Sequence, residues 1–335
     1  MRLQARRPTR LQEISEWLRQ GEIKPGEAIN LAMELRRRQT RRSPDARSTA
    51  GAQPDAAAAR EERIQAILQE LDGFVGLETV KQHVHEIQAF TSIQLRRRHL
   101  GLLHETTGLH MIFTGNPGTG KTTVARILGR LFREMGLLPS GHMVEVERAD
   151  LVGEYIGHTA LKTREVLKKA QGGVLFIDEA YSLARGGEKD FGKESIDCLV
   201  RAMEDQRGQL LLILAGYPAE MEWFLAQNPG LRSRFPIRVD FPDYTPYELL
   251  AIAESMWRSR QYELTIEARG YLRHILHSDP WFAGGDEGNA RAVRNLVERS
   301  LRCQALRLIK RTDLTREELM AITGADLEQA VRAER

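Results

Sequence analysis

A glycine-rich segment carries the clearest chemical signal in the sequence. Residues 115–122 are GNPGTGKT and fit the pattern GxxxxGK followed by Ser or Thr, between an apolar run and a helical pattern. In that setting the backbone N–H groups of the loop and the positive end of the next helix bind phosphates. Lys121 is expected to reach the β- and γ-phosphates, and the Thr122 hydroxyl to bind Mg²⁺. The predicted nucleotide-binding residues are Gly115, Asn116, Pro117, Gly118, Thr119, Gly120, Lys121, Thr122 and Thr123.

Two carboxylates follow a second apolar run. Residues 174–179 are VLFIDE, so Asp178 and Glu179 come directly after a predicted buried strand. Taken alone, the pair also fits a strand that runs into an exposed acidic turn. Unpaired buried charge is costly, however, and the glycine-rich loop precedes the pair, which favours catalysis. We expect Asp178 to hold Mg²⁺ and Glu179 to act as the general base that activates water.

Short apolar runs alternate with helical patterns around these motifs. This alternation predicts a parallel sheet that is covered on both faces, and therefore an α/β fold. Helical patterns over 79–100, 160–170 and 193–205 supply part of the covering layers, and residues 247–335 are predicted to be helical throughout. The predicted strands are residues 110–114, 142–146, 173–177, 210–215 and 237–241.

The N-terminal part of the chain has a different composition. Residues 9–38 predict a helical hairpin, and the proline-containing, alanine-rich residues 43–59 predict a linker. The predicted organisation is a basic helical extension, a linker, an α/β domain and a smaller helical domain. Their boundaries are residues 1–42, 43–59, 60–243 and 246–335.

Charge and composition limit the possible functions. The chain has 335 residues and a net charge of +3, with +6 on residues 1–60 and −3 on residues 61–335. The basic arm is compatible with nucleic acid, an acidic partner or solvated helix ends. No run of about 18 apolar residues predicts a membrane span. Two isolated cysteines, Cys198 and Cys303, suit a reducing compartment, so we expect a cytoplasmic protein.

The two motifs and their surroundings resemble AAA+ ATPases. The segments ADLVGEYIGHTALKTREVLKKAQGGVLFIDEAYSLARGGEKDFGKESID and LAGYPAEMEWFLAQNPGLRSRFP are similar to the subfamily of stage V sporulation protein K and the red-type Rubisco activases. The stretch GGEKDFGKE favours the sporulation branch. The resemblance covers residues 70–335. It implies an αβα P-loop domain with a helical lid, ATP and Mg²⁺ as ligands, a hexameric ring, and remodelling or threading of a protein substrate.

The resemblance also assigns roles outside the two motifs. Val75 and Gly76 match the segment that packs on adenine, although an ordinary turn with core contacts is the alternative. Tyr155 and Ile156, between Gly153 and Gly157, match a pore loop that grips an extended polypeptide.

Three further positions complete the implied site. Arg234 matches the arginine finger that reaches the nucleotide of a neighbouring subunit, with Arg232 as the alternative. Arg291 matches the lid arginine called sensor 2, with Arg294 as the alternative. The family usually has a polar Asn or Thr after the fourth strand as sensor 1, and here Tyr217 lies near that position, so the sensor 1 residue stays open.

Several functions remain open at this stage. We expect a protein remodeller of the sporulation protein K type. A red-type Rubisco activase, a nucleic-acid-dependent ATPase that uses the basic arm, and a scaffold that binds ATP without hydrolysis are the alternatives. Binding of nucleic acid is disfavoured because no aromatic residues interleave with the arginine runs. The sequence does not identify the substrate protein.

Overall fold

The computed structural model describes residues 54–103, 108–155, 157–185, 191–206, 208–279, 281–282 and 288–333. The chain divides into two units, Met1–Glu62 and Arg63–Arg335. The predicted N-terminal hairpin lies outside the described residues, as does Ile156. In the part of the chain that is described, no helix combines the length and apolar composition needed to cross a bilayer.

A five-stranded parallel sheet forms the centre of the second unit. Its strand order is β2-β3-β4-β1-β5, and every neighbouring pair is parallel. Each strand coincides with one of the predicted apolar runs to within a residue, so the α/β prediction is confirmed. The strands are Met111–Gly115 (β1), Met143–Val146 (β2), Val174–Ile177 (β3), Leu211–Gly216 (β4) and Ile237–Phe241 (β5).

The sheet is buried on both faces, which explains why its central strands are apolar without alternation. In β3, Val174 and Phe176 point into one apolar cluster, whereas Leu175 and Ile177 point into another. All four side chains are fully buried. The alternation of side chains along a strand therefore divides one apolar run between two cores.

Helices cover the two faces and connect the parallel strands. In chain order they are Pro54–Asp72 (α1), Glu78–His99 (α2), Lys121–Glu134 (α3), Arg148–Leu151 (α4), His158–Ala170 (α5), Gly192–Asp205 (α6), Pro218–Gln227 (α7) and Pro229–Arg232 (α8), with a 3₁₀ turn at Ala180–Ala184.

The beginning of α1 corrects one predicted boundary. The helix begins at Pro54, inside the 43–59 segment that was predicted to be a linker. Proline is well tolerated in the first turn of a helix, and the alanines at 56–59 are strong helix formers. The low content of large apolar residues indicated a linker, but helix propensity determines the structure of residues 54–59.

The C-terminal region forms a helical lid with its own apolar core, which includes the fully buried Trp257 and Leu272. The prediction that it is helical throughout is wrong in one detail, because Glu263–Leu264 (β6) and Ala321–Ile322 (β7) form a parallel pair. Two-residue strands are too short to give a recognisable sequence pattern. The lid helices are Pro246–Arg258 (α9), Ile266–Ser278 (α10), Asn289–Leu308 (α11), Arg316–Met320 (α12) and Gly324–Arg332 (α13).

A buried histidine precedes β1. His110 is 9% exposed, and its Nδ1 accepts a hydrogen bond from the backbone N–H of Leu212 at 3.1 Å. An accepting nitrogen carries no proton, so the ring is in its neutral form. Burial lowers the pKa of His110 from 6.5 to about 4. His110 thus connects the start of β1 to β4 only as long as it stays neutral.

This histidine should make the fold sensitive to acid. Below pH 6.5 the unfolded chain protonates His110, whereas the folded chain does not do so until about pH 4. Stability is therefore complete above the unfolded pKa and is lost as the pH falls. Between about pH 7 and pH 5 the free energy of unfolding should fall by about 2 kcal/mol more in wild type than in His110→Asn, which keeps an acceptor. Urea titrations of both proteins at each pH measure the difference, and parallel pH profiles would contradict it.

Candidate nucleotide site

The glycine-rich loop connects the end of β1 to the beginning of α3. Gly118 and Gly120 have φ angles of +73° and +100°, a backbone region in which side chains are strained. The Thr119 hydroxyl donates a hydrogen bond to the carbonyl oxygen of Asn116 at 2.7 Å. Gly120 is the N-cap of α3. The loop therefore has the tight curvature and the helix terminus that phosphate binding requires.

Lys121 lies at the inner edge of this loop. Its Nζ donates hydrogen bonds to the carbonyl oxygens of Gly115 and Asn116 at 2.7 and 2.8 Å. Burial lowers the pKa of Lys121, and the nearby Asp178 acts in the opposite direction. The ammonium group is thus held among groups of both charges, where an anionic ligand can pair with it.

A cavity of about 1190 Å³ opens in front of the loop. Both carboxylates of the acidic motif lie in its wall. Asp178 follows β3, and its Oδ1 accepts a hydrogen bond from the backbone N–H of Glu179 at 3.0 Å. Glu179 is exposed and has a φ angle of +45°. The predicted site residues that line the cavity are Val75, Gly115, Pro117, Gly118, Gly120, Lys121, Thr122, Thr123, Asp178, Glu179 and Arg291.

Three predicted nucleotide-binding residues are not part of the cavity lining. The Asn116 side chain donates hydrogen bonds to both carboxylate oxygens of Asp243 at 3.0 and 2.9 Å. Thr119 is fully buried, and its hydroxyl closes the loop. Gly76 has a φ angle of +65°, and a Cβ there would collide with the Glu248 carboxylate. The side chains of Asn116 and Thr119 therefore support the loop, and Gly76 allows the lid to approach closely.

The lid supplies one side of the cavity. Arg291 and the alternative Arg294 both lie in the wall, together with Ile252 and Met256 of α9. Tyr244 contributes its ring, and its hydroxyl donates a hydrogen bond to the carbonyl oxygen of Thr119 at 3.2 Å. Burial raises the pKa of Tyr244 to about 12, so this phenol stays protonated and can donate.

The predicted arginine finger lies away from this cavity. Arg234 donates to the carbonyl oxygen of Gly230 at 2.8 Å and pairs with Glu204 at the end of α6. Arg232 is exposed. Neither arginine lines the nucleotide cavity described in this chain. Within one chain, therefore, neither guanidinium reaches the phosphate-binding loop.

The predicted pore residue Tyr155 is 66% exposed, and its ring is edge-on to His158 at 5.5 Å. The base of this loop is fixed, since the backbone N–H of Gly153 donates to the Thr159 hydroxyl at 3.0 Å. Gly157 has a φ angle of +82° and is the N-cap of α5. A rigid base thus presents an aromatic side chain to the exterior.

A sensor 1 residue is expected directly after β4. Tyr217 follows Gly216 there, lines the cavity, and has its ring 6.0 Å from that of Tyr181. Its position agrees with the place where a sensor 1 residue is expected, but the role itself stays open.

Sequence reasoning missed the residues that join the lid to the loop. Asp243, Tyr244 and Asn289 bring the two parts together through hydrogen bonds between residues more than forty positions apart. The one available signal was the pair Gly288–Asn289, two residue types that are common at the ends of helices. That signal predicts a cap but no partner.

Comparisons with known proteins agree with this architecture. Residues 111–243 match the model of the ATPase family associated with various cellular activities (AAA), and residues 245–335 match the AAA lid domain. The AAA domain of FIGL-1 in complex with ADP superposes with a TM-score of 0.53 at 19% identity, over 78% of this chain and 82% of that one. At that identity the likeness concerns the fold alone.

Curated relatives are more similar in sequence. Stage V sporulation protein K of Bacillus subtilis is 52% identical over 265 residues, which are 79% of this chain and 82% of the relative. The chloroplastic ribulose bisphosphate carboxylase/oxygenase activase of Cyanidioschyzon merolae is 46% identical over 275 residues, 80% of this chain and 92% of the relative. The chain therefore belongs to the AAA ATPases, within the group that contains stage V sporulation protein K and Rubisco activase, and it is an ATPase with an AAA lid domain.

Proposed function

We propose that this ATPase assembles into a hexameric ring and uses Mg²⁺-dependent ATP hydrolysis to remodel or thread a protein substrate, in the manner of a sporulation protein K type enzyme. The observation that carries this proposal is the exposed Tyr155 on its glycine-bounded loop. Contacts of an exposed aromatic side chain are non-specific and tolerate many polypeptide sequences. The substrate is therefore an extended protein segment, and Ile156 is proposed as the partner of Tyr155 in gripping it.

The proposed chemistry uses the residues of the cavity wall. Lys121 binds the β- and γ-phosphates, and Val75 packs against the base. Thr122 and Asp178 offer the oxygen ligands that Mg²⁺ prefers. When bound there, Mg²⁺ would supply positive charge against the negative charge that develops on the phosphate in the transition state. Glu179 is exposed to the cavity and accepts a proton from the attacking water.

The arginines complete the site from two directions. Arg291 closes on the nucleotide from the lid of the same chain, and Arg234 reaches it from a neighbouring chain. The position of Arg234, outside the cavity of its own chain and paired with Glu204, supports a site that a second copy completes. This arrangement makes hydrolysis dependent on ring assembly.

The proposed domains follow the predicted boundaries with one change. The ATPase domain covers residues 60–243 and the lid 246–335, with a basic extension at 1–42. The linker is shortened to residues 43–53, because residues 54–59 belong to helix α1, which continues into the ATPase domain. A cytoplasmic location stays a prediction from the cysteine content.

A Rubisco activase is the second candidate, because one relative at 46% identity carries that name. Its substrate would be a single enzyme and not a range of proteins. Reactivation of a red-type Rubisco that is inhibited by a sugar bisphosphate separates the two candidates. The GGEKDFGKE stretch and the basic extension favour the sporulation type.

Glu179→Gln should keep ATP binding and lose hydrolysis. The glutamine keeps the shape of the side chain but cannot take a proton, so phosphate release should fall by about 10²–10⁴-fold. Bound ATP should then hold the ring together, which size-exclusion chromatography with light scattering measures. Glu165→Gln changes an exposed glutamate of α5 and serves as the control. Undiminished turnover in Glu179→Gln would refute the assignment of the base.

Arg234→Ala should lower the ATPase rate about 10³–10⁵-fold, since an arginine finger stabilises transition-state charge. If the finger acts in trans, mixing the inactive Arg234→Ala and Glu179→Gln proteins should restore activity. In mixed rings some sites combine an intact Glu179 with an intact Arg234 from the neighbour. Arg232→Ala is the matched control. An Arg232→Ala protein that is inactive alone and regains activity with Glu179→Gln, together with an active Arg234→Ala protein, would transfer the role to Arg232.

Tyr155→Ala should keep basal ATPase activity and lose work on the substrate. Crosslinking in the Glu179→Gln protein first identifies the client, and client-stimulated phosphate release is then compared between variants. Tyr247→Ala is a close control, because Tyr247 is 70% exposed and is also edge-on to a histidine, His277, at 5.2 Å. Equal stimulation of wild type and Tyr155→Ala by the client would contradict the pore assignment.

A further inference from the structure

Asn289 joins the lid to the rest of the protein in an unusual way. It is the first residue of α11, is fully buried, and has a φ angle of +59°. Its Oδ1 accepts a hydrogen bond from the backbone N–H of Tyr244 at 2.9 Å, and its Nδ2 donates to Asp243 Oδ1 at 2.8 Å. A longer bond of 3.4 Å leads to the carbonyl oxygen of Pro117 in the phosphate-binding loop. The oxygen and the nitrogen of this buried amide therefore both have hydrogen-bond partners outside α11.

Asp243 continues this connection to the loop. Its two carboxylate oxygens accept hydrogen bonds from Asn116 Nδ2 at 3.0 and 2.9 Å. The side chains of Asn116, Asp243 and Asn289 thus form a continuous chain from the loop, across the end of β5, to the lid. We call these three residues the lid–loop relay. Hydrogen bonds to a charged acceptor are stronger than neutral ones, so Asp243 is suited to hold two amides at once.

Close packing accompanies the relay. A Cβ on Gly118 would come within 2.8 Å of the backbone nitrogen of Arg291 and 2.9 Å of the carbonyl oxygen of Gly288. The first turn of α11 therefore lies directly against the phosphate-binding loop. Because the backbone approach leaves no room for sliding, a small shift of the loop must move this turn, or break the relay.

We infer that the lid–loop relay positions Arg291 over the nucleotide by holding the first turn of α11 against the phosphate-binding loop. Arg291 is two residues after Asn289 and lies on the same helical turn, in the cavity wall. The inference rests on the proposed role of Arg291. Asn289 and Asp243 are thus positioning residues, which act through Arg291 and through the loop.

The choice of asparagine supports a positioning role. The turn could be anchored by the lid core alone, because the neighbouring Ala292 and Val293 are fully buried. A buried amide adds no apolar stabilisation and costs free energy whenever a partner is lost. Asparagine also tolerates the left-handed backbone and offers one donor and one acceptor at once. These properties suit a residue that fixes the position of the turn through hydrogen bonds and not one that only fills space in the core.

The test removes the hydrogen bond between Asn289 and Asp243 and then restores it with donor and acceptor exchanged. Asn289→Asp puts a carboxylate opposite Asp243, so a donor is lost and two like charges meet. Combining Asn289→Asp with Asp243→Asn restores the pattern, since the new amide at 243 donates to position 289 and still accepts from Asn116. Asn295→Asp, which makes the same change further along α11, is the matched control.

The measured quantity is the Kd of methylanthraniloyl-labelled ATP in the presence of Mg²⁺. Asn289→Asp should raise Kd about tenfold or more, the effect of losing one charge-assisted hydrogen bond. The double variant should return to within about threefold of wild type, whereas Asn295→Asp should not change Kd. In an Arg291→Ala background the effect of Asn289→Asp should shrink to about twofold or less, because the group that the relay positions is gone.

Distinct results would overturn the inference. The relay would not act through Arg291 if Asn289→Asp left Kd unchanged. The same conclusion would follow if Asn289→Asp raised Kd by the same factor in the wild-type and Arg291→Ala backgrounds. If Asn289→Asp does not fold, Asn289→Gly carries the same expectation, because glycine keeps the left-handed backbone and removes all three side-chain hydrogen bonds. A wild-type protein that did not bind labelled ATP would contradict the nucleotide site itself. Equal stimulation of wild type and Tyr155→Ala by the client would count against the remodelling function, but it would not bear on the inference about the relay.

Discussion

All five strands of the sheet run parallel, so their carboxyl ends lie along one edge, and the active chemistry depends on that constraint. The order of the strands places β1 beside β4, and β4 beside β3. The phosphate-binding loop, Tyr217 and the pair Asp178–Glu179 therefore emerge next to one another, although they are far apart in sequence. β5, on the other side of β1, brings Asp243 to the same edge. Ligands of open parallel sheets bind at such an edge because loops can diverge there.

The lid has an apolar core separate from the two cores of the sheet, which makes it a distinct body on this edge. The lid has its own core around Trp257 and Leu272, and the sheet has a core on each face. Tyr244 is the residue that packs against both the lid core and one sheet core. Hydrogen bonds at this junction connect Asn289 to Tyr244 and Asp243, and the Tyr244 hydroxyl to the carbonyl oxygen of Thr119.

Asp243 has a central position in this junction. It lies just after β5 and is bonded to the loop through Asn116 and to the lid through Asn289. Asp243 also opposes the lowering of the Lys121 pKa by burial. One carboxylate thus takes part in the electrostatics of the phosphate site and in the attachment of the lid. Its effect on either function cannot be separated from its effect on the other without restoring the hydrogen-bond pattern.

Much of the architecture was predictable from local patterns. The predicted runs located all five strands of the main sheet. The signal is strongest for β3 and β4, because strands buried on both faces need uninterrupted apolar side chains. The edge strands β2 and β5 include charged residues and are partly exposed. The glycine-rich loop and the acidic pair were recognisable because each motif is a short continuous segment. Errors occurred where a signal was weak, as in the helical start at Pro54 and the two-residue strands β6 and β7.

The sequence by itself determined the strand–loop–helix motif, the acidic pair and the AAA family. Only the tertiary structure decided the direction in which each side chain points: Asn116 towards Asp243, Arg234 towards Glu204, and Arg291 into the cavity. It also brought Asn289 to a loop 172 positions away in the chain. The physical reason is that motif chemistry depends on neighbours in sequence, whereas the lid–loop relay is formed by hydrogen bonds between segments that meet only after the sheet and the lid have folded.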